Sequence, residues 1–216
     1  MTADRMFTDE ESIAYWDARH RDEVGLRSGG NTGLGQAGNE VFYARRLGVL
    51  LALVGDLTST SEPLFLLDAG CGKGYFARAL ARCGHRIDGI DTSPAAISAC
   101  REAGGGPRYH RARLAQWHSP WLYDAVYAVD VCFHITDDAE WESSLANLAS
   151  LVRLAGMLVV TDEHVESRVR HGSYIVHRTR EDYMSVLGPH GLAAVGFRPY
   201  DFRDSRVGFH VFTRTH

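Results

Sequence analysis

The sequence has few cysteines, and their spacing pairs none of them. Cys71, Cys83, Cys100 and Cys132 form no CxxC pair and no Cys/His zinc pattern. This excludes a disulfide framework and predicts free, mostly buried thiols in a reducing compartment. Long apolar runs are missing as well. Leu47 to Val54, the longest, has about eight residues, against the roughly 20 that a membrane-spanning helix needs. The opening MTADRMFTDEE lacks the charged-then-apolar layout of a secretory signal, so a cytoplasmic protein with no membrane partner is expected. Positive charge is not in excess either. Lys and Arg number 23 against 27 Asp and Glu, a formal charge of −4, whereas a protein held by nucleic-acid phosphates shows a basic surplus. No nucleic-acid partner is expected. Internal repeats and low-complexity tails are absent too.

The remaining composition is ordinary for a globular chain. Of 216 residues, 45% are hydrophobic and 23% charged, which suits one well-buried core. Thr8-Asp9-Glu10-Glu11 is a capping box and predicts a helix from about Asp9 to His20. Residues 25–38, GLRSGGNTGLGQAG, are rich in glycine without apolar periodicity and predict a loop. Asn39 is a cap candidate for a second helix running through about Val54. The chain therefore divides into a helical extension with a glycine-rich lid, 1–58, and a core, 59–216, within one structural domain.

From Leu64 the rhythm changes. LFLLD (64–68), HRIDGID (85–91), RYHRA (108–112), YDAVYAVD (123–130) and MLVVTD (157–162) read as strands, separated by helical patterns such as that of Trp141, Leu145, Leu148 and Val152. Strands alternating with amphipathic helices predict a parallel sheet covered on both faces. LAAVGF (192–197) and VGFHVF (207–212) are joined by nine residues, too few for a helical crossover, and should pair antiparallel.

The chemistry-bearing signals lie at strand ends. Asp68-Ala-Gly70-Cys-Gly72-Lys-Gly74 separates a strand from a helix, where glycines allow a sharp turn and a close backbone approach to a ligand. It is not a P-loop, because Gly74 follows Lys73 where Ser or Thr is required; nor is it a dinucleotide GxGxxG, because Tyr75 stands at the third glycine. Asp91, at the end of the second strand, can accept both hydroxyls of a ribose. The fourth strand ends in Asp130, with His134 four residues on.

DxGxGxG followed by a strand-end acid resembles the class I S-adenosylmethionine-dependent methyltransferases, and the layout of residues 60–215 is similar to theirs. The resemblance implies a Rossmann-like α/β fold: a seven-stranded, mostly parallel sheet, antiparallel only at its last strand, with helices on both faces. It further implies S-adenosylmethionine as cofactor, held by Asp68, Gly70, Cys71, Gly72, Asp91, Thr92, Leu114, Asp130 and Val131. Asp68, Asp91, Asp130 and Asp162 are expected to cluster at the crevice beyond the strand ends. Two positions depart from the family pattern. Arg113 stands where an acid commonly meets the adenine amine, leaving backbone, Leu114 or Gln116 to make that contact, and Leu154-Ala155-Gly156 replaces a Pro-Gly-Gly turn.

The expected activity is methylation of a small molecule at a hydroxyl, phenol or carboxyl oxygen. N-methylation, a nucleotide-binding oxidoreductase and a non-catalytic cofactor-binding module are the alternatives. A hydroxyl nucleophile needs a base, and imidazole suits that role near neutral pH. His134 is the first candidate, with a backbone-bonded loop histidine as its plain alternative, and His164 is the second. Tyr15, Tyr43, Arg45, His134 and His177 are the substrate-binding candidates, beside Trp16 and Arg46 on the same two helices. Glu163, His164, His171 and His177 match no tight ligand spacing, and no metal is expected. The chain is expected to act as a monomer or homodimer.

Overall fold

The computed structural model describes residues 5–57, 62–203 and 205–216. The 58/59 boundary between extension and core lies outside the described residues. Seven strands form one sheet in the order β3-β2-β1-β4-β5-β9-β8. These are β1 (Phe65–Ala69), β2 (Arg86–Asp91), β3 (Arg108–Arg111), β4 (Tyr123–Ala128), β5 (Val152–Glu163), β8 (Leu192–Pro199) and β9 (Val207–Arg214). The first five run parallel; β9 lies antiparallel between β5 and β8. The expected sheet, with its last strand reversed, is the observed one. A two-stranded hairpin, β6 (Val169–His171) and β7 (Ile175–His177), stands apart from it.

The helices are α1 (Asp9–Asp22), α2 (Gln36–Gly55), α3 (Tyr75–Arg82), α4 (Pro94–Ala103), α5 (Asp138–Ser150) and α6 (Arg180–Leu187). They bury apolar stripes on the two sheet faces. One core joins Leu50, Leu53 and Val54 of α2 with Phe76, Leu80, Leu66 and Tyr127; the other joins Trp141, Leu145 and Leu148 of α5 with Val126, Leu158 and Tyr183. Each fully buried side chain of this kind contributes roughly 1.5–3 kcal/mol by leaving water. The buried sheet thus serves as a rigid platform whose strand ends carry the site.

Two local expectations change. Helix α2 begins at Gln36 behind Gly35, not behind Asn39. Asn39 is spent on the preceding loop: its Oδ1 accepts from Asn31 N–H at 3.0 Å, and its Nδ2 donates to the carbonyls of Asn31 and Leu34 at 3.0 and 3.1 Å. Arg19 Nη2 donates to the carbonyls of Arg27 and Gly30 at 2.6 and 2.9 Å, tying the same glycine-rich segment to α1. Strand β5 starts early, at Val152, because the 153–156 segment is absorbed as a bulge opposite Tyr123 and Asp124, with Ala155 at φ 60°.

Candidate active site

The turn after β1 is dictated by its glycines. Gly70 has φ 80° and Gly72 φ 50°, a left-handed conformation that a Cβ makes costly. A Cβ on Gly70 would lie 2.4 Å from Val131 Cγ2, so the turn also packs against the loop after β4. Gly70 and Cys71 N–H donate to the Ile90 carbonyl at 2.8 and 2.9 Å. Asp91 locks the two strand ends together, accepting from Gly72 N–H at 2.9 Å and Ser93 N–H at 2.8 Å.

Beyond these strand ends opens a cavity of about 320 Å³, of the size that holds small ligands. Gly70, Cys71, Gly72, Asp91, Thr92, Leu114, Asp130, Val131, Tyr43 and His134 all line it, so ten of the residues singled out by sequence share one space. Others do not reach it. Asp68 is buried beneath the turn, where its carboxylate accepts from Ala77 N–H at 3.1 Å at the start of α3; burial pushes its pKa up to about 8. Arg45 turns the other way, donating to the Tyr200 carbonyl at 3.2 Å. Tyr15 packs against Phe7 and Tyr174 at ring distances of 5.8 and 5.4 Å. His164 is exposed and stacks on His210, 5.9 Å away, on the side of β9. His177 is buried against Asp162.

The expected cluster of four strand-end acids is therefore corrected to two. Asp91 and Asp130 face the cavity. Asp162 is a fully buried hub instead, accepting from His177 Nδ1 at 2.5 Å, Glu163 N–H at 2.8 Å and Tyr183 O–H at 2.8 Å. In the β4–β5 register Ala128 pairs with Val160, so Asp162 lies as far beyond that pair as Asp130 does; what removes it from the crevice is the direction of its carboxylate, drawn to His177 and Tyr183.

Asp130 sits at φ 56°, rare for a side-chain-bearing residue, and is held from several sides. It pairs with the guanidinium of Arg46, accepts from Tyr200 O–H at 2.5 Å, and takes the Thr161 hydroxyl at 3.2 Å. Arg46 is 1% exposed and its charge lies over the rings of Phe42 and Tyr43 at 3.9 and 4.1 Å. Burial opposes that charge, but Asp130 together with Tyr43 and Tyr200 outweighs it, and the Arg46 pKa is raised.

The other wall comes from α1. Asp9, Ser12, Ile13, Trp16 and His20 all line the cavity, spaced at i, i+3, i+4, i+7 and i+11, which is one helix face. Sequence reasoning missed Asp9, Ser12 and His20 because this inward face is mostly polar and aromatic, with Ile13 as its one aliphatic residue; the periodicity itself was the available signal. Asp17 fastens α1 to the core, accepting from Ser93 Oγ at 2.6 Å and Ala95 N–H at 3.1 Å. Arg113 pairs with Asp9, so the residue standing in for an acid beside β3 brings a carboxylate from α1 to the cavity wall. Leu114 lines the cavity next to it, and Gln116 does not.

His134 follows β4 in a short helical turn, Cys132–His134. Its Nδ1 lies 2.9 Å from the Tyr174 carbonyl, the turn residue of the β6–β7 hairpin. A carbonyl only accepts, so Nδ1 carries the proton and Nε2 is the basic nitrogen. Trp16 packs edge-on at 4.7 Å and Tyr174 stacks at 5.5 Å, fixing the ring. Burial lowers its pKa to about 4; the Tyr174 carbonyl and Asp130 pull upward, while Arg19 adds to the lowering. The imidazole is neutral at pH 7.

Residues 66–156 match the model of a methyltransferase domain family. Over 103 residues the chain is 35% identical to a ubiquinone biosynthesis O-methyltransferase of Methylocella silvestris, covering 45% of this chain and 36% of that protein. Over 90 residues it is 37% identical to a malonyl-[acyl-carrier protein] O-methyltransferase of Serratia marcescens, covering 41% and 33%. The chain thus spans about a third of the length of these relatives. In fold it resembles the N-methyltransferase NodS of Bradyrhizobium japonicum solved with S-adenosyl-L-homocysteine, with a TM-score of 0.68 at 18% identity over 95% of this chain and 99% of that one. The matched segment, less than half of the chain, is similar to a methyltransferase domain and holds the glycine turn, Asp91, Asp130 and His134.

Proposed function

We propose that the protein is an S-adenosylmethionine-dependent methyltransferase acting on a small molecule, with a hydroxyl or phenol as the methyl acceptor. The observation that carries this reading is one cavity lined jointly by the glycine turn, by Asp91 and by a histidine whose Nε2 is basic. The residues fit the cofactor. Gly72 brings bare backbone to the cavity, where a Cβ would press on His20 at 3.3 Å; Asp91 can accept ribose hydroxyls, and Leu114 supplies an apolar wall for a base.

S-adenosylmethionine, when bound, supplies a methyl group already activated on a sulfonium. The chain's task is then alignment, exclusion of water and removal of one proton. His134 Nε2 takes the acceptor's O–H proton, and Nδ1–H stays on the Tyr174 carbonyl, which keeps the ring from turning. Trp16, Tyr43, Tyr75 and Phe76 give the cavity flat apolar surfaces that suit an aromatic acceptor. The names of the two matched relatives, both O-methyltransferases, favour oxygen over nitrogen. A base held in one tautomer favours a hydroxyl over a carboxyl, which needs none.

An unperturbed imidazole would give activity that rises through pH 6–7; with a pKa near 4, activity should be flat there and fall only as pH approaches 4. The acceptor is read as a free small molecule in the cytoplasm, with no nucleic-acid partner, in keeping with the net charge of −4 and the free thiols of Cys71, Cys100 and Cys132. Among the described residues no helix is long and apolar enough to cross a membrane. Titration calorimetry with S-adenosylmethionine and with NADH, followed by a screen of phenolic and aliphatic hydroxyl acceptors, tests the reading. Binding of NADH alone, or no methyl transfer to any hydroxyl, would overturn it.

A further inference from the structure

We propose that Glu163, His171 and His177 form a binding site for one divalent metal ion of the zinc class, joining the β6–β7 hairpin to the end of β5. Their spacing in sequence hides this. Glu163 closes β5, His171 closes β6 and His177 closes β7, so three strand ends must converge before the ligands meet. In the folded chain one ligand atom from each lies within 4.8 Å of the others. In the hairpin, His177 pairs with Val169, and His171 stands two residues from Val169. A period of two puts both imidazoles on one face of the hairpin, as diagonal neighbours. Their rings are 5.5 Å apart.

The orientation of His177 is the second observation. Asp162, fully buried and held by Tyr183 O–H and Arg178 N–H, sits 2.5 Å from His177 Nδ1. A carboxylate accepting from one ring nitrogen fixes the tautomer and leaves the other as a ligand, the usual support of a metal-bound histidine. That other nitrogen, Nε2, faces Glu163 Oε1 at 3.9 Å. This is too long for a hydrogen bond, and it fits two ligands that each bond a shared ion at about 2.1 Å. His171 is exposed and Glu163 half-buried, so both can turn to complete the set. Two imidazoles and one carboxylate suit zinc, cobalt, nickel or copper over magnesium or calcium. A fourth position would stay open to water. Such an ion would brace the hairpin whose Tyr174 carbonyl holds His134.

The test uses the full chain, freed of metal with a chelator and titrated with Zn²⁺ against a chromophoric competitor. We expect one tight equivalent, a raised melting temperature on loading, and with Co²⁺ a visible spectrum of a site with mixed nitrogen and oxygen ligands. His171→Ala, at an exposed position, should fold normally yet bind zinc about 100-fold or more weakly and lose the cobalt spectrum. Glu163→Gln, which keeps size, should do the same if the alanine variant proves unstable. No tight equivalent in the wild type, or equal zinc affinity in wild type and both variants, would overturn the site and assign any uptake to the other histidines.

Discussion

The cavity has two walls, built by opposite means. The wall at the strand ends is made of backbone and short side chains within one stretch of chain: Gly70 and Gly72 turn, and Asp91 clamps them from the next strand. The facing wall gathers side chains from α1, from Arg46 of α2 and from His134 under the β6–β7 hairpin. One wall depends on what the backbone can do locally, so few residue types satisfy it. The other depends on which helix face turns inward, so many sequences would serve and the chemistry can differ between relatives.

If the division holds, loss on the far wall should strike turnover and loss on the near wall should strike cofactor binding. His134→Ala is expected to have the largest effect, a fall in kcat of about 10²–10⁴-fold with the affinity for S-adenosylhomocysteine unchanged by calorimetry. The wild type should hold a flat rate from pH 6 to 8 and lose activity toward pH 4, because the base works only when neutral and its pKa is lowered to about 4. A variant with wild-type turnover would dissolve the distinction between the walls.

Gly70→Ala should come next. Left-handed backbone costs about 1–2 kcal/mol for a residue with Cβ, and overlap with Val131 adds about 1–3 kcal/mol. Denaturant unfolding should report a loss in that combined range. Asp91→Ala removes hydrogen bonds to a charged group, so S-adenosylmethionine should bind about 1.5–3 kcal/mol more weakly, or roughly 10–150-fold by calorimetry. Unchanged affinity in a folded Asp91→Ala protein would remove Asp91 from the cofactor's contacts. The smallest effect serves as the contrast: Gly48 lies exposed within α2 with open space around it, and Gly48→Ala should stabilise by about 0.5–1 kcal/mol without touching binding or rate.

Legibility in sequence follows the same division. The capping box at Thr8 is present with both of its hydrogen bonds, from Glu11 N–H to Thr8 Oγ1 and from Thr8 N–H to the Glu11 carboxylate. The strand pattern from Leu64 onward carried the sheet, because short apolar runs between helical periods leave few packings open. Arg45 and Arg46 show the limit. Both are arginines on α2, and a rotation of one residue decides that Arg46 is buried beside Asp130 while Arg45 reaches Tyr200. The helical period places Arg46 on the buried stripe between Tyr43 and Leu50 and leaves Arg45 off it, but it does not reveal that Asp130 is the partner of the buried charge.

Sequence alone determined the parallel sheet, the glycine turn and the acid that clamps it. Their cause is local: dihedral limits at glycine, alternation along strands and hydrogen bonds between neighbours in the fold's order. Only the tertiary structure decided that His20 and Asp9 face the cavity, that Asp162 leaves the crevice to hold His177, and that the Nδ1 proton of His134 goes to Tyr174. Each of those depends on which elements the fold brings together: Asp9 meets Arg113 across more than a hundred residues and His134 meets Tyr174 across 40, and no local rule relates either pair.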